Sequence, residues 1–223
     1  MNKFTMASTV ACLFASSAFA TVYSDATFDL FDNGFGNLDI ASVSVSNTAI
    51  DITFAVTTRD FSSWTKYMIF MDTKSVGGTS SNAWSRPVEL SGAAIEYFAG
   101  SWVDASSNNT QFVKFDNGTS SWDWGNYSTL SNSVSDKTVS FTFSLASMNL
   151  SAGNQFTFDV ATSGGGSSDP GVDHLSRNDP ATPGWSTPST SGVFLSYTVT
   201  PVPAPGAIAL IGLAGLVGKR RRS

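Results

Sequence analysis

An all-β chain built as a single two-layer antiparallel sandwich is what this sequence predicts, and three observations predict it. Apolar and polar residues alternate with period two in separate runs along residues 40–199. Clusters rich in Ser, Asn and Gly at 76–82, 104–109, 117–121 and 163–168 punctuate those runs as turns. No window as long as an ordinary helix carries a helical apolar period. About nine or ten short strands over about 180 residues fit one sandwich, with a jelly roll among the topologies open to it. An N-terminal signal peptide and a short C-terminal hydrophobic helix flank that body, which gives three segments: 1–20, 21–200 and 201–223.

The elements follow in order. Met1-Asn2-Lys3 is a short basic start, a mostly apolar stretch runs to Phe19, and Ala18-Phe19-Ala20 fits the small-x-small cleavage pattern of a secretory signal. The mature chain is expected to start near Thr21, and cleavage removes Cys12, the only cysteine. Residues 40–45 form a first run. Ile50, Ile52, Phe54 and Val56 share one face of the next. Residues 67–71 are apolar throughout, as a central strand buried on both faces would be. Residues 94–98 and 111–115 are shorter runs. Val139, Phe141, Phe143 and Leu145 alternate with Thr and Ser, and 145–150 is the one place for a short turn of helix. Phe156, Phe158 and Val160 form another run. Residues 179–191, rich in Pro, Ser and Thr, read as a long loop before a last strand carrying Val193, Leu195, Tyr197 and Val199.

Composition narrows the chemistry. Of the 223 residues only 13 % are charged, and the formal net charge is −5. Between residues 21 and 218 there are seven basic groups against seventeen acidic ones, because Lys3, Lys219, Arg220, Arg221 and Arg222 lie at the ends. Such a surface repels phosphate backbones, so no nucleic-acid partner is expected. One cysteine and one histidine leave no disulfide framework and no Cys/His zinc site. There is no Gly-x-Ser-x-Gly elbow, and His174 sits in the loop-like run Asp169-Pro170-Gly171-Val172-Asp173-His174, where it reads as a solvated or capping residue. The chain is therefore expected not to be an enzyme. A secreted glycoside hydrolase needs only two carboxylates and stays as a lesser alternative, although no spacing singles out a pair.

Two groups of residues are candidates for binding. Asp25, Asp29, Asp32 and Asp39 crowd one short segment, and calcium takes carboxylate and carbonyl oxygens of this kind. The EF-hand spacing fails, since Phe31 stands at the third position from Asp29 and Ile40 at the twelfth, and a solvated acidic turn is the plain alternative. No other cofactor is expected. Trp122 and Trp124 would share one face if that segment were extended, with Tyr97 and Trp102 in the preceding strand region. Indole faces flanked by Asn, Asp and Ser suit a sugar ring, whereas the competing role for these aromatics is the core between the two layers.

The C-terminal segment reads Val202-Pro203-Ala204-Pro205-Gly206, then twelve uncharged residues, then Lys219-Arg220-Arg221-Arg222. Twelve helical residues span about 18 Å against roughly 30 Å of bilayer hydrocarbon, so this helix would lodge in a membrane only transiently. The basic cluster would stay cytoplasmic, and the prolines would leave an extended peptide just outside. The segment resembles the PEP-CTERM sorting signal of Gram-negative exopolysaccharide producers. Pro203, Pro205 and Gly206 stand at its motif and Lys219 to Arg222 at its Arg cluster, while Ala204 replaces the usual Glu. That resemblance implies an exosortase-type membrane transpeptidase as partner and export through the inner membrane to the surface or extracellular matrix. Scattered phrases of the body, among them residues 66–72, 92–98 and 139–145, resemble DOMON and family-nine carbohydrate-binding sandwiches, with Glu96 in place of an Asp. This implies a ligand-binding sandwich without catalysis, while the resemblance of the tail to that of exopolysaccharide producers is what makes exopolysaccharide an expected partner.

Overall fold

A computed structural model describes residues 20–73, 77–103, 109–126, 128–130 and 132–202. Residues 1–19 and 203–223, and with them Ala18 and the whole sorting motif from Pro203 to Arg222, lie outside the described residues. No helix among the described residues is long and apolar enough to cross a membrane.

The described residues are all-β with antiparallel sheets. The strands are β1 (Thr21–Ser24), β2 (Ile40–Asn47), β3 (Asp51–Thr58), β4 (Lys66–Asp72), β5 (Val88–Glu89), β6 (Tyr97–Trp102), β7 (Asn109–Asp116) and β8 (Ser121–Trp122). They continue with β9 (Ser128–Leu130), β10 (Asn132–Ser135), β11 (Thr138–Ser144), β12 (Gln155–Ser163), β13 (Gly171–His174), β14 (Ser189–Thr190) and β15 (Leu195–Thr198). The first sheet runs β1-β2-β3-β11-β10 and the second β13-β12-β4-β6-β7-β8. On the free edge of β12, β15 lies beyond β13, and β9 joins β7 beside β8. A short parallel pair, β5 with β14, stands apart from both.

The alternation does what period two dictates. In β3 and β11 every second residue is buried: Ile52, Phe54 and Val56 on one, Val139, Phe141 and Phe143 on the other. On the opposite face Thr53 meets Thr142 at 2.9 Å and Thr57 meets Thr138 at 2.8 Å, cross-strand hydroxyl pairs of the kind that steady a half-exposed face. The inward residues share one hydrophobic cluster with Tyr67, Ile69, Tyr97, Phe156 and Phe158 of the second sheet. Phe54 and Phe158 meet edge to face across that cluster with centroids 5.2 Å apart, so the two sheets pack in a sandwich-like manner.

The second sheet is covered on its other face as well. Met68, Phe70, Phe98, Val113 and Ala161 pack there under Val88 of β5 and under Ala83, Leu90 and Ile95 from the segments around it. This is why residues 67–71 of β4 are apolar throughout: both faces of the strand are buried there. It also adds a layer that alternation did not announce.

Several expectations shift. Ile50 does not join the inward face of β3 but sits in the hairpin turn, 69 % exposed, and Val193 precedes β15 rather than belonging to it. The helical turn expected at 145–150 is a 3-10 turn, Ala146–Met148. The 179–191 loop contains β14, and the run read as a loop around His174 forms β13, where His174 is fully buried rather than solvated. Asp173 and His174 are both buried there, each in a polar cluster assembled from distant residues that the local Pro-Gly context does not announce.

Candidate functional site

Three constellations are built around the second sheet. The first is acidic. Asp25 follows β1, Asp29 lies in the loop to β2, Asp39 ends that loop, and Asp173 comes from β13. Asp29, Asp39 and Asp173 each present a carboxylate oxygen to a common point, all within 4.8 Å of one another. A slip in the sheet and a strained residue in the loop before β2 accompany this convergence. The pairing of β2 with β3 slips after Ile40, and the Ile40 amide donates to Asp173 Oδ2 at 2.6 Å. Phe28 takes a left-handed backbone (φ 67°), a conformation costing on the order of 1–2 kcal/mol for a side chain of this size. In that conformation its amide donates to Asp39 Oδ2 at 3.0 Å, and its ring lies under the Arg59 guanidinium at 4.1 Å. Arg59 Nε donates to the same oxygen at 2.7 Å.

Donors are then exhausted. Asp39 Oδ1, both oxygens of Asp29 and Asp25 Oδ2 are buried and accept nothing from another residue. Burial, and next the charge of Asp29, push the Asp25 carboxyl up to about 8. Asp173 rises well above the carboxylate range, first through burial and then through Asp25. Of the four acids read from the sequence, Asp25, Asp29 and Asp39 converge. Asp32 does not: it is exposed and its Oδ1 accepts from the Gly34 amide at 2.9 Å in a turn of its own. Asp173 was missed because it stands far along the chain in a Pro-Gly context. Its one sequence signal is the alternation of Val172 and His174 around it.

The second constellation is a buried relay. Asp159 Oδ2 lies 2.7 Å from His174 Nδ1, and His174 Nε2 lies 3.2 Å from Ser189 Oγ. These are the residue types and the contact order of a nucleophilic triad. All three side chains are fully buried, however, and Gly171 closes over them: a Cβ there would fall 2.4 Å from His174 Nε2. Ser189 Oγ also accepts from the Gly171 amide at 3.0 Å, and Asp159 Oδ1 from the Val160 and Ser176 amides. A substrate carbonyl cannot approach this hydroxyl. The relay acts as a fastener for β12, β13 and β14.

The third constellation is a groove on the outer face of the second sheet. Trp84 stacks on Trp102 with centroids 4.4 Å apart and planes 23° from parallel. Its Nε1 donates to Gln111 Oε1 at 2.8 Å, and its ring rests on Gly100, where a Cβ would come within 2.1 Å of it. Only glycine leaves room for that indole on the strand. Arg86 donates to Ser163 Oγ at 2.7 Å and to the Asp169 carbonyl at 3.1 Å. Together with Gly165 and Ser167 these residues enclose about 190 Å³.

Of the aromatics read from the sequence, Trp102 lies in this groove. Tyr97, on the opposite face of β6, is 1 % exposed and stacks on Phe112 in the core between the sheets. Trp122 packs edge-on to Phe98 and Phe115, while Trp124 stands 40 % exposed in a 3-10 turn after β8 has ended. The two indoles therefore do not share one strand face. Trp84 was passed over because a Trp near a turn carries no periodic signal. No family model matches this chain, and no curated protein matches it.

Proposed function

We propose that this chain is an exported, non-catalytic bacterial surface or extracellular-matrix protein whose single two-layer sandwich, residues 21–200, contacts exopolysaccharide. The observation that carries the contact is the groove where Trp84 is held flat on Trp102 beside the Arg86 guanidinium. A sugar ring stacks its C–H face on an indole and hydrogen-bonds its hydroxyls to neighbouring donors, and a space of about 190 Å³ is of the order of one ring. Export rests on the Ala18-Phe19-Ala20 signal. Sorting by an exosortase-type transpeptidase rests on the tail, whose short helix would hold the chain transiently in the inner membrane of a Gram-negative-type cell. The non-catalytic reading is supported by the closure of the Ser189 hydroxyl. Against a glycoside hydrolase, no carboxylate lines the groove among the described residues.

Affinity electrophoresis of the mature protein through gels containing the host's exopolysaccharide tests this reading. Retardation is expected, with most of it lost in Trp84→Ala and Trp102→Ala. Unchanged mobility of the wild type would end the polysaccharide reading and leave a purely structural surface protein. Retardation lost only in Trp124→Ala would move the platform to the other side of β7. For sorting, replacing Arg220, Arg221 and Arg222 by Ser is expected to stop processing, and identical immunoblots of the two proteins would refute an exosortase signal.

A further inference from the structure

We propose that Asp29, Asp39 and Asp173, with Asp25 beside them, bind one calcium ion that ties the loop before β2 to strand β13. This assignment stands apart from the polysaccharide reading and uses none of the groove residues.

The acidic centre differs from an ordinary acidic turn in burial and in what its oxygens lack. Asp39 exposes 0 % of its surface and Asp173 1 %, and Asp39 Oδ1 is among the buried oxygens with no partner. Buried polar atoms in native proteins are almost always satisfied, so several orphan acceptors in one place point to a missing partner. The local donors are already spent. Arg59 Nε and the Phe28 amide share Asp39 Oδ2, the Ile40 amide takes Asp173 Oδ2, and the His174 amide takes Asp173 Oδ1 at 2.9 Å. Arg177, the next cation, is held by Asp179 at 2.7 Å. One guanidinium in contact faces four carboxylates, and a divalent cation corrects both the charge and the empty acceptors.

The donor set selects the ion. Every ligand atom is a carboxylate oxygen, which disfavours zinc and copper. The nearby His174 cannot contribute nitrogen, since Asp159 and Ser189 occupy both ring atoms. Magnesium holds its waters and is satisfied by one or two carboxylates, whereas calcium accepts six to eight oxygens in a loose shell. Three converging carboxylates, each offering one oxygen, suit a calcium ion whose loose shell carbonyls and water complete. The ion would sit where the chain leaves β1 and returns into β2, so it would set the path of the 25–39 loop.

The test uses the mature full chain freed of metal with chelator, and follows thermal unfolding with calcium, with magnesium and with neither. Calcium at a hundredfold excess over its Kd is expected to raise Tm by roughly 5–10 °C for a domain of this size, and magnesium by much less. Asp29→Asn is the informative variant, because Asp29 accepts no bond from another residue. It should keep the chelator-state Tm within about 2 °C and lose the calcium shift. Asp32→Asn, in the exposed turn, should keep the shift. Should Asp29→Asn fail to fold, wild-type metal content decides: one calcium per chain after dialysis is expected, with terbium emission sensitised by Trp64 and Trp185, which pack beside Leu38 and Val172. No calcium bound to the wild type, a calcium shift that survives in Asp29→Asn, or a shift lost in Asp32→Asn would overturn the assignment.

Discussion

Asp173 and His174 are neighbours on β13, yet they belong to two buried polar clusters of opposite character. His174 joins Asp159 and Ser189 in a chain where both ring nitrogens and both Asp159 oxygens are bonded. Asp173 joins Asp29 and Asp39, where acceptors converge and donors run out. Strand alternation sends the two side chains to opposite faces, and the two faces solve burial differently. The satisfied cluster is complete as protein alone. The unsatisfied one leaves several buried carboxylate oxygens without a donor. The comparison teaches that residue type does not identify a site: the triad-like set is a fastener, and the set with ordinary carboxylates is the one we propose to hold a ligand.

On that contrast, removing a member should be costly in the first cluster and nearly free at Asp29 in the second, whose oxygens accept no bond from another residue. The largest effect is expected for His174→Ala, which leaves the buried Asp159 Oδ2 without its partner and a cavity where the ring was. A loss of about 3–5 kcal/mol in urea unfolding follows from an orphaned buried acceptor together with that cavity, and a loss under 1 kcal/mol would show that water already serves the relay. Ser189→Ala comes next. It strips an acceptor from the Gly171 amide and a partner from His174, for about 1–3 kcal/mol by the same measurement. Without calcium, Asp29→Asn should lie within about 0.5 kcal/mol of the wild type or above it, because like-charge repulsion is relieved and no bond is lost. A penalty as large as that of Ser189→Ala would break the comparison.

The smallest effect belongs to a residue between the two extremes. Glu96 is buried, its Oε2 accepts from the Thr73 amide at 2.7 Å, and its Oε1 has no partner. Burial is the main cause that lifts its pKa above the ordinary value of 4.5. The folded state then holds this proton more tightly than the unfolded chain does. That stabilisation is fully present below 4.5 and is lost as pH rises through the elevated folded value. Urea midpoints of wild type and Glu96→Gln should therefore diverge as pH is raised from 4 towards neutrality, the wild type falling relative to the variant. Parallel profiles would mean that Glu96 is adequately solvated.

Much of the fold was legible because its signal is local. Ile52, Phe54 and Val56 alternate with polar residues, and so do Val139, Phe141 and Phe143, and each set lies on the inward face of its strand. The apolar run at 67–71 announced a strand covered on both sides. The acidic segment drew notice for Asp25, Asp29 and Asp39, and Trp102 was among the aromatics chosen. What stayed hidden has no local signal. Trp84 needs Gly100 beneath it, His174 needs Asp159 on the adjacent strand, and Tyr97 differs from Trp102 only by which face of β6 it occupies.

The sequence by itself determined that this chain forms strands, where most of them run and which side of each is apolar. Only the tertiary structure decided that Asp173 meets Asp39, that Ser189 lies against His174, and that Trp84 lies on Trp102. The reason is physical. Alternation is written with a period of two residues, whereas convergence depends on which strands become neighbours, and strand order arises from packing among residues more than a hundred positions apart, as Ile40 and Asp173 are.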